Sequence, residues 1–303
     1  MDLLIYLIVI VIGLIAGGIV NSLADDLPLR RSPRLPRFVP DEKKRAIHGN
    51  YETEEAYEEA IKFVQTDDEK RPPIAWLGIT AFLTNNRESS DGSVKLGWRY
   101  PLTEILTVFL MILTLMAVGD EPDVSDLQIV FWLTYMAIFA LITVIDIEHK
   151  LILFVVIIPS SLLAILDAVL TPTNHTPHLR DAFLGAGLGF LVFFIVYNGG
   201  FIFTYIMGKA RGVDIKEVAF GYGDVMMAMF SGFILGWQAL IFAIFITVFL
   251  GAFGAIAFLF TQNIMGKKYS AFTALPYGPY IVAGTITILL FGTEVGKVLG
   301  GGA

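Results

Sequence analysis

The stretch LQIVFWLTYMAIFALITVIDIEHK, residues 127–150, decides the fold class. Its predominantly apolar part runs from Leu127 to Ile145. A helix needs about 20 such residues to cross the roughly 30 Å hydrocarbon core of a bilayer. The stretch therefore predicts a transmembrane helix, and the residue that closes this helix is an acid, Asp146.

Other apolar stretches of similar length lie on both sides of this one. The predicted helices are 3–23, 102–118, 127–145, 151–170, 182–207, 225–235, 239–260 and 277–291. Only the tripeptide GWQ at 236–238 separates the sixth from the seventh. The sequence thus predicts an all-α polytopic membrane protein with about eight transmembrane helices.

The composition agrees with a membrane protein. Hydrophobic residues make up 55% of the 303 residues and charged residues 16%, whereas soluble domains carry about 25% charged residues. The chain has no cysteine, which excludes disulfides, thiolate zinc sites and cysteine nucleophiles. The net charge is −7, and no basic run with interleaved aromatic residues indicates nucleic-acid binding.

One sizeable polar region, about 25–99, follows the first predicted helix. It begins with a proline-rich basic run and continues with the acidic, helix-favouring run YETEEAYEEAIKFV at 51–64. We therefore expect three parts: a first transmembrane helix at 1–24, a small cytoplasmic subdomain at 25–101, and a seven-helix membrane domain at 102–303.

Lysine and arginine favour the cytoplasmic side of a membrane. With the polar region in the cytoplasm, the predicted helices place 19 of the 21 Lys and Arg residues on that side and leave only Arg180 and Lys297 outside. A cleaved signal peptide ending at Ala24 is the competing interpretation of the first helix. It is disfavoured because no basic residue precedes the apolar run, which is also longer than signal peptides use.

Acids beside apolar helices are costly, so they are candidates for function. Asp146 ends the third predicted helix, and Asp224 opens the sixth in FGYGDVMMAMF at 220–230. The topology puts both on the cytoplasmic side at similar depth. Two adjacent carboxylates share a proton, so one can activate water while the other protonates a carbonyl oxygen. The pair predicts an aspartic peptidase.

Three neighbours of Asp224 are candidates for supporting the site. Gly221 and Gly223 allow the backbone to approach a substrate closely. Glu217 is either a helper in the site or a solvated acid.

Each catalytic acid also has a structural alternative: Asp224 could cap its helix, and Asp146 could form an ion pair with Lys150 one turn later. Their matched depth favours catalysis. The four histidines are scattered, and no metal site is predicted.

Several segments, in order, resemble the type IV prepilin peptidase / N-methyltransferase family, membrane aspartic peptidases of the GxGD type. The matching segments are GLIAGGIVNSLADDLP (13–28), PPIAWL (72–77), WRYPLTEILT (98–107), IDIEHKLI (145–152), GYGD (221–224) and ALPYGPYIVAG (274–284).

The resemblance implies an eight-helix fold with Asp146 and Asp224 as the catalytic dyad. It implies a multi-pass protein of the bacterial inner membrane that cleaves the leaders of type IV prepilins or type II secretion pseudopilins at the cytoplasmic face. It also implies N-methylation of the new N-terminus from S-adenosylmethionine. The residues of the N-terminal region that match are Asn21, Arg99, Tyr100 and Glu104.

The sequence departs from the family in the polar region. Long members carry two cysteine pairs there, read as a zinc site, so this cysteine-less chain is expected to hold no metal. Near the two acids, Leu153 stands where the family usually has proline, and Met226 where it has lysine. Either change could shift substrate preference without replacing a catalytic carboxylate.

Two other functions remain open. A presenilin-like intramembrane peptidase would share the GxGD motif. It would cleave its substrates deeper in the membrane, and it would not explain the segment 98–107. A transporter or proton-relay protein would favour an internal repeat or acids at mid-bilayer, and neither is present in the sequence.

Overall fold

The computed structural model describes residues 3–46, 48–49, 53–119, 121, 123–171, 177–211, 221–264 and 276–299. Within these ranges the chain is helical and forms no β-strand, which confirms the predicted all-α class. The helices are α1 (Leu3–Asp26), α2 (Asp41–Ala46), α3 (Glu54–Gln65), α4 (Gly78–Leu83), α5 (Arg99–Val118), α6 (Asp126–His149), α7 (Phe154–Leu170), α8 (Leu179–Arg211), α9 (Tyr222–Ile264) and α10 (Gly278–Leu299), and a 3-10 turn at Pro73–Ala75 precedes α4.

Six of these helices are long and apolar enough to cross a membrane: α1, α5, α6, α8, α9 and α10. Helix α7 is apolar and has 17 residues. Each predicted apolar helix therefore has a counterpart in the structure. The predicted boundaries differ from the observed ones at helix starts and ends alike, and the largest difference is at the end of α10, which reaches Leu299 rather than residue 291. Helix α7 begins at Phe154 rather than residue 151, and α8 begins at Leu179 rather than residue 182.

Helix α9 is two helices joined at Gly236, where φ is 74° and ψ is 170°. Essentially only glycine adopts this conformation. The first arm begins at Tyr222. Its second residue, Gly223, contacts Ile152, and Ile152 also lies against Gly278 at the start of α10. The second arm returns to that same end, where Gly251 and Gly254 contact Tyr277 and Tyr280. The two arms are therefore antiparallel, as the predicted break at 236–238 requires.

Residues 1–116 and 132–145 form one compact unit. Helix α1 packs on α5 through its glycines. A Cβ atom at Gly13 would lie 2.9 Å from Val108 Cγ2, and one at Gly17 would lie 2.6 Å from the Cα of Glu104. Small residues allow helix backbones to approach this closely in membranes.

Buried ion pairs hold the polar region of this unit together. Asp68 binds Arg31 and Lys43, each at 2.6 Å, and all three side chains are at most 4% exposed. Two small apolar clusters complete the packing: Phe38, Ala75, Ala81, Leu96 and Tyr100 form one, and Leu29, Val39 and Val64 form the other. The region thus combines charge pairing with modest apolar cores.

Residues 117–131 and 146–303 form the second unit. Helices α7, α8 and α10 pack on α9. Glycine lies at the closest points: a Cβ at Gly185 would lie 2.4 Å from the carbonyl oxygen of Gly232, and one at Gly189 would lie 2.3 Å from that of Ala228. This close packing fixes where α9 begins, which is where Asp224 lies.

Candidate active site

Asp146 lies in the last turn of α6 and is 4% exposed. Its Oδ2 accepts a hydrogen bond of 2.9 Å from the backbone N–H of Gly278, the first residue of α10. The helix ends at His149, because the next residue, Lys150, adopts a left-handed conformation and donates its N–H to the carbonyl of Asp146 at 2.8 Å. The carboxylate is therefore fixed by the start of a different helix.

Asp224 is the third residue of α9 and is 9% exposed. Its Oδ2 accepts a hydrogen bond of 3.0 Å from the N–H of Gly221, and its own N–H donates to the carbonyl of Gly221 at 3.1 Å. A side chain at the third helical position that reaches back to the N-cap N–H is half of a capping box. The capping interpretation of Asp224 is thus correct locally.

The two carboxylates share one mode of support. Each is held through Oδ2 by a backbone N–H at the start of a helix, where the helix dipole favours negative charge. Among the described residues, Oδ1 of each has no hydrogen bond. The carboxylates are also close enough to interact electrostatically. The fold therefore brings together the two acids that the sequence singled out.

Ile152 lies between the supports of the two acids. A Cβ at Gly223 would lie 2.7 Å from Ile152 Cβ, and a Cβ at Gly278 would lie 3.2 Å from Ile152 Cδ1. The Ile152 side chain therefore lies between Gly223, which precedes Asp224, and Gly278, which donates its N–H to Asp146. Ile152 falls inside the segment 145–152, but an isoleucine beside an apolar helix carries no sequence signal of its own.

Tyr277 is a second residue that sequence reasoning missed. It stands where the family signature in 274–284 has phenylalanine. Burial, and then the charge of Asp224, raise the pKa of its hydroxyl above the ordinary value. The hydroxyl therefore stays protonated at physiological pH and remains a possible donor near the dyad. Its ring packs on Gly251, where a Cβ would lie 2.6 Å from Tyr277 Cε2.

The remaining predictions for this site have mixed outcomes. Lys150 forms no ion pair within 4 Å with Asp146, but its charge acts on that carboxylate from farther away. Gly221 and Gly223 both take part in the site, the first as hydrogen-bond donor and the second by its contact with Ile152. Glu217 lies outside the described residues.

The four residues predicted for the N-terminal region meet in the other unit. Glu104 is fully buried and accepts N–H bonds from Gly78 at 2.5 Å and Ile79 at 2.8 Å. Asn21 Nδ2 donates to Glu104 Oε1 at 3.2 Å and to the carbonyl of Tyr100 at 2.9 Å. Asn21 and Glu104 therefore tie α1 and α5 to the start of α4.

Asp25 is the centre of this cluster, and sequence reasoning did not single it out. Its carboxylate pairs with Arg99 at 2.9 Å and with Arg71 and Lys44, each at 3.2 Å. The hydroxyl of Tyr100 donates to it at 3.0 Å. The Tyr100 ring also contacts both guanidinium groups, with Arg71 4.3 Å and Arg99 4.2 Å from its centroid. Three cations thus surround one buried carboxylate.

Within the described ranges, no three His, Asp or Glu side chains cluster as metal ligands would. Fold and site together define a polytopic membrane protein with a buried pair of acids.

Comparison with known proteins identifies the class. Residues 133–256 match the type IV leader peptidase family, and this stretch contains both Asp146 and Asp224. The predicted resemblance is thereby confirmed, and the class of enzyme is a peptidase. No solved structure matches the chain.

Curated relatives extend the similarity beyond this domain. The chain is 28% identical over 222 residues to the prepilin leader peptidase/N-methyltransferase of Aeromonas hydrophila, covering 73% of this chain and 66% of the relative. It is 26% identical over 290 residues to the protein of the same name from Pseudomonas putida, covering 94% and 90%. A Bacillus subtilis relative of that name is 24% identical over 226 residues, covering 74% of this chain and 78% of the relative.

Proposed function

We propose that this protein is a leader peptidase that removes the leaders of type IV prepilins or pseudopilins. The observation that carries the proposal is the pair of buried carboxylates, Asp146 and Asp224, each held by a helix-start N–H inside the matched domain. Neither alternative function is favoured, because the relatives bear the name of prepilin peptidases over most of the chain.

The geometry supports acid–base catalysis by the dyad. Since the Oδ2 atoms accept backbone N–H bonds, the Oδ1 atoms are the ones that would face water and the peptide. The ionised acid takes a proton from water as its oxygen bonds to the carbonyl carbon, and the neutral acid protonates the carbonyl oxygen. When the C–N bond breaks, the leaving amine takes the proton from the acid that deprotonated water, and a hydroxyl of the tetrahedral intermediate gives its proton to the other acid, so the dyad again holds one shared proton.

The distribution of Lys and Arg supports a membrane orientation. The 25–101 region and the dyad would face the cytoplasm, in the inner membrane of a bacterium. We assign 1–24 to the first transmembrane helix, 25–101 to the methyltransferase-associated cytoplasmic region, and 102–303 to the membrane peptidase domain. The substrate would reach the dyad laterally from the bilayer.

N-methylation of the new N-terminus is the second proposed activity. It is favoured by the Pseudomonas putida relative, a named N-methyltransferase whose similarity covers 94% of this chain. S-adenosylmethionine would supply the methyl group. Asn21 and Glu104 are buried and bonded to backbone, so they would act by holding the region, whereas the Arg99 side chain is 15% exposed and could contact the donor.

Co-expression with a prepilin tests both activities. We expect full processing with the native chain and with Asp126→Ala, which changes an exposed acid at the start of α6, and none with Asp146→Ala or Asp224→Ala. Full processing by either dyad variant would contradict the peptidase assignment. Mass spectrometry of the mature pilin is expected to show one added methyl group, and an unmodified N-terminus would contradict the second activity alone.

A further inference from the structure

The segment 72–84, which contains the 3-10 turn and α4, follows an unusual path through its unit. Arg71, directly before it, binds Asp25, one residue before the end of α1. Leu77 lies deeper, because a Cβ at Gly18 would be 2.7 Å from Leu77 Cδ2. Gly18 is eight residues before the last residue of α1. At a rise of 1.5 Å per residue, Leu77 therefore lies about 12 Å along α1 from the end at Asp26.

Helix α5 gives a second, somewhat smaller depth for the segment. Glu104 accepts hydrogen bonds from the N–H groups of Gly78 and Ile79. It lies five residues after Arg99, the first residue of α5, or about 8 Å along that helix. A Cβ at Gly78 would lie 2.6 Å from Pro101 N, so this part of the segment touches the α5 backbone. The chain then returns: the ring of Phe82 lies 4.8 Å from that of Trp98, directly before α5.

Several polar groups of the segment are bonded within the protein, as non-helical backbone at membrane depth requires. Glu104 accepts the first two N–H groups of α4. The Trp76 indole donates to the carbonyl of Arg71 at 3.2 Å, and the Thr80 hydroxyl donates to that of Ile74 at 2.5 Å.

The exposed residues of the segment are apolar except for Thr84 at its end. Leu83 is 81% exposed and Trp98 is 69% exposed, and Ile74 and Trp76 are also exposed. Exposed apolar residues continue on both adjoining spans, at Ile19 of α1 and Leu102 of α5. Arg87 stacks over the Phe82 ring at 5.3 Å, a basic residue placed where an interfacial segment would meet lipid headgroups.

We propose that the segment 72–84 is a re-entrant membrane segment whose outward face contacts lipid. It enters the bilayer beside α1 and α5 from the side of the polar region and leaves on the same side at Phe82, which packs on Trp98. Glu104 and Asn21 anchor it, which gives these two buried residues a structural task. The occupant of the apolar face is the acyl-chain region of the bilayer, because that face continues the exposed faces of two membrane spans.

Single cysteines test the proposal in a chain that has none of its own. Leu83→Cys is the test position, and Lys62→Cys on α3 is the matched control, since the Lys62 side chain is also 81% exposed. In membrane vesicles, a water-soluble maleimide should label Leu83→Cys about tenfold more slowly or less, because a thiol in lipid neither ionises nor meets the reagent. After denaturation in SDS the two rates should be equal.

A lipid-attached quencher distinguishes lipid contact from burial against protein. A fluorophore on Leu83→Cys should be quenched by nitroxide-labelled phospholipid, and one on Lys62→Cys should not. Equal maleimide labelling of the two cysteines in vesicles, or no quenching at Leu83→Cys, would overturn the proposal. These readouts involve no substrate, so they stand or fall independently of the peptidase assignment.

The anchoring role of Glu104 has its own test in the Leu83→Cys background. Glu104→Ala removes both acceptors for the α4 N–H groups and should raise the vesicle labelling rate, while Glu104→Gln keeps one oxygen and should give an intermediate rate. Unchanged labelling with both variants would overturn the role of Glu104 as anchor. The Lys62→Cys rate in the same variants shows whether the polar region itself still folds.

Discussion

The carboxylate of Asp25 and the pair Asp146–Asp224 are buried to a similar degree, yet their surroundings are opposite. Three cations and a tyrosine hydroxyl neutralise Asp25. Among the described residues, no Lys or Arg charge lies within 4 Å of either carboxylate of the pair, and each carboxylate receives one backbone N–H bond. The charge of Lys150 acts on Asp146 only from farther away. A buried charge without a counter-ion is costly, so the first arrangement is that of a structural ion pair and the second that of a reactive site.

The strongest test of this contrast changes charge without changing shape. Asp146→Asn and Asp224→Asn should each lower the rate of leader cleavage by about 10³-fold or more, because an amide can neither take nor share the catalytic proton. The folded protein should persist, with an unchanged melting temperature in detergent. Initial rates on a purified prepilin measure the effect. Residual activity near the native rate would mean that the pair is not the dyad.

Asp25→Ala should do the reverse, lowering stability while sparing chemistry. Removing one partner of a buried charge pair costs about 3–5 kcal/mol, and this change would leave Arg71, Arg99 and Lys44 facing one another. Chemical unfolding followed by tryptophan fluorescence measures the loss. The matched control is Asp67→Ala, whose side chain is 77% exposed in its pairs with Arg34 and Arg37, where we expect less than about 1 kcal/mol. Equal losses would erase the distinction between the two kinds of site.

Gly278→Ala probes the support of the dyad rather than its charge. The added Cβ would lie 2.7 Å from Asp146 Oδ2, so the carboxylate must move. A displacement of about 1 Å at a reacting group lowers the rate by about 10²-fold, chiefly through kcat. Gly187→Ala is the control, because a Cβ at Gly187 meets nothing within 4 Å. A Gly278→Ala variant with native kcat would show that the N–H bond to Asp146 does not set its position.

The smallest effect should come from Tyr277→Phe, which removes a hydroxyl and keeps the ring. One neutral hydrogen bond contributes about 0.5–1.5 kcal/mol, so a change of a few-fold in kcat/KM is expected. The raised pKa of Tyr277 keeps its hydroxyl neutral throughout the range in which carboxylates titrate. The shape of the pH profile below pH 9 should therefore be the same with and without the hydroxyl, and an altered alkaline limb below pH 9 would contradict this.

The sequence predicts the features of this protein that depend on the local order of apolar and charged residues. Helix positions follow from apolar length, and the break at Gly236 followed from three residues, GWQ. Asp146 and Asp224 were visible because an acid next to an apolar helix is rare. Asp25, Ile152 and Tyr277 were not, since an aspartate in a polar run, an isoleucine and a tyrosine are all ordinary where they stand. Their importance arises from contacts with residues distant in sequence, such as Arg99 for Asp25 and Gly278 for Ile152.

The glycine turn in α9 has a consequence for the lipid around the protein. The first arm, from Tyr222 to the residue before Gly236, has 14 residues and is about 21 Å long, shorter than a hydrocarbon core of about 30 Å. A cavity of about 480 Å³ lies at the turn, and its lining combines apolar side chains with polar ones that include Glu121, Gln238 and Glu294. Such hydrophobic mismatch is relieved by local thinning of the bilayer. Reconstitution in phospholipids of decreasing acyl-chain length should therefore raise the melting temperature and the cleavage rate together, and a decrease in both would refute this relation between the glycine turn and bilayer thickness.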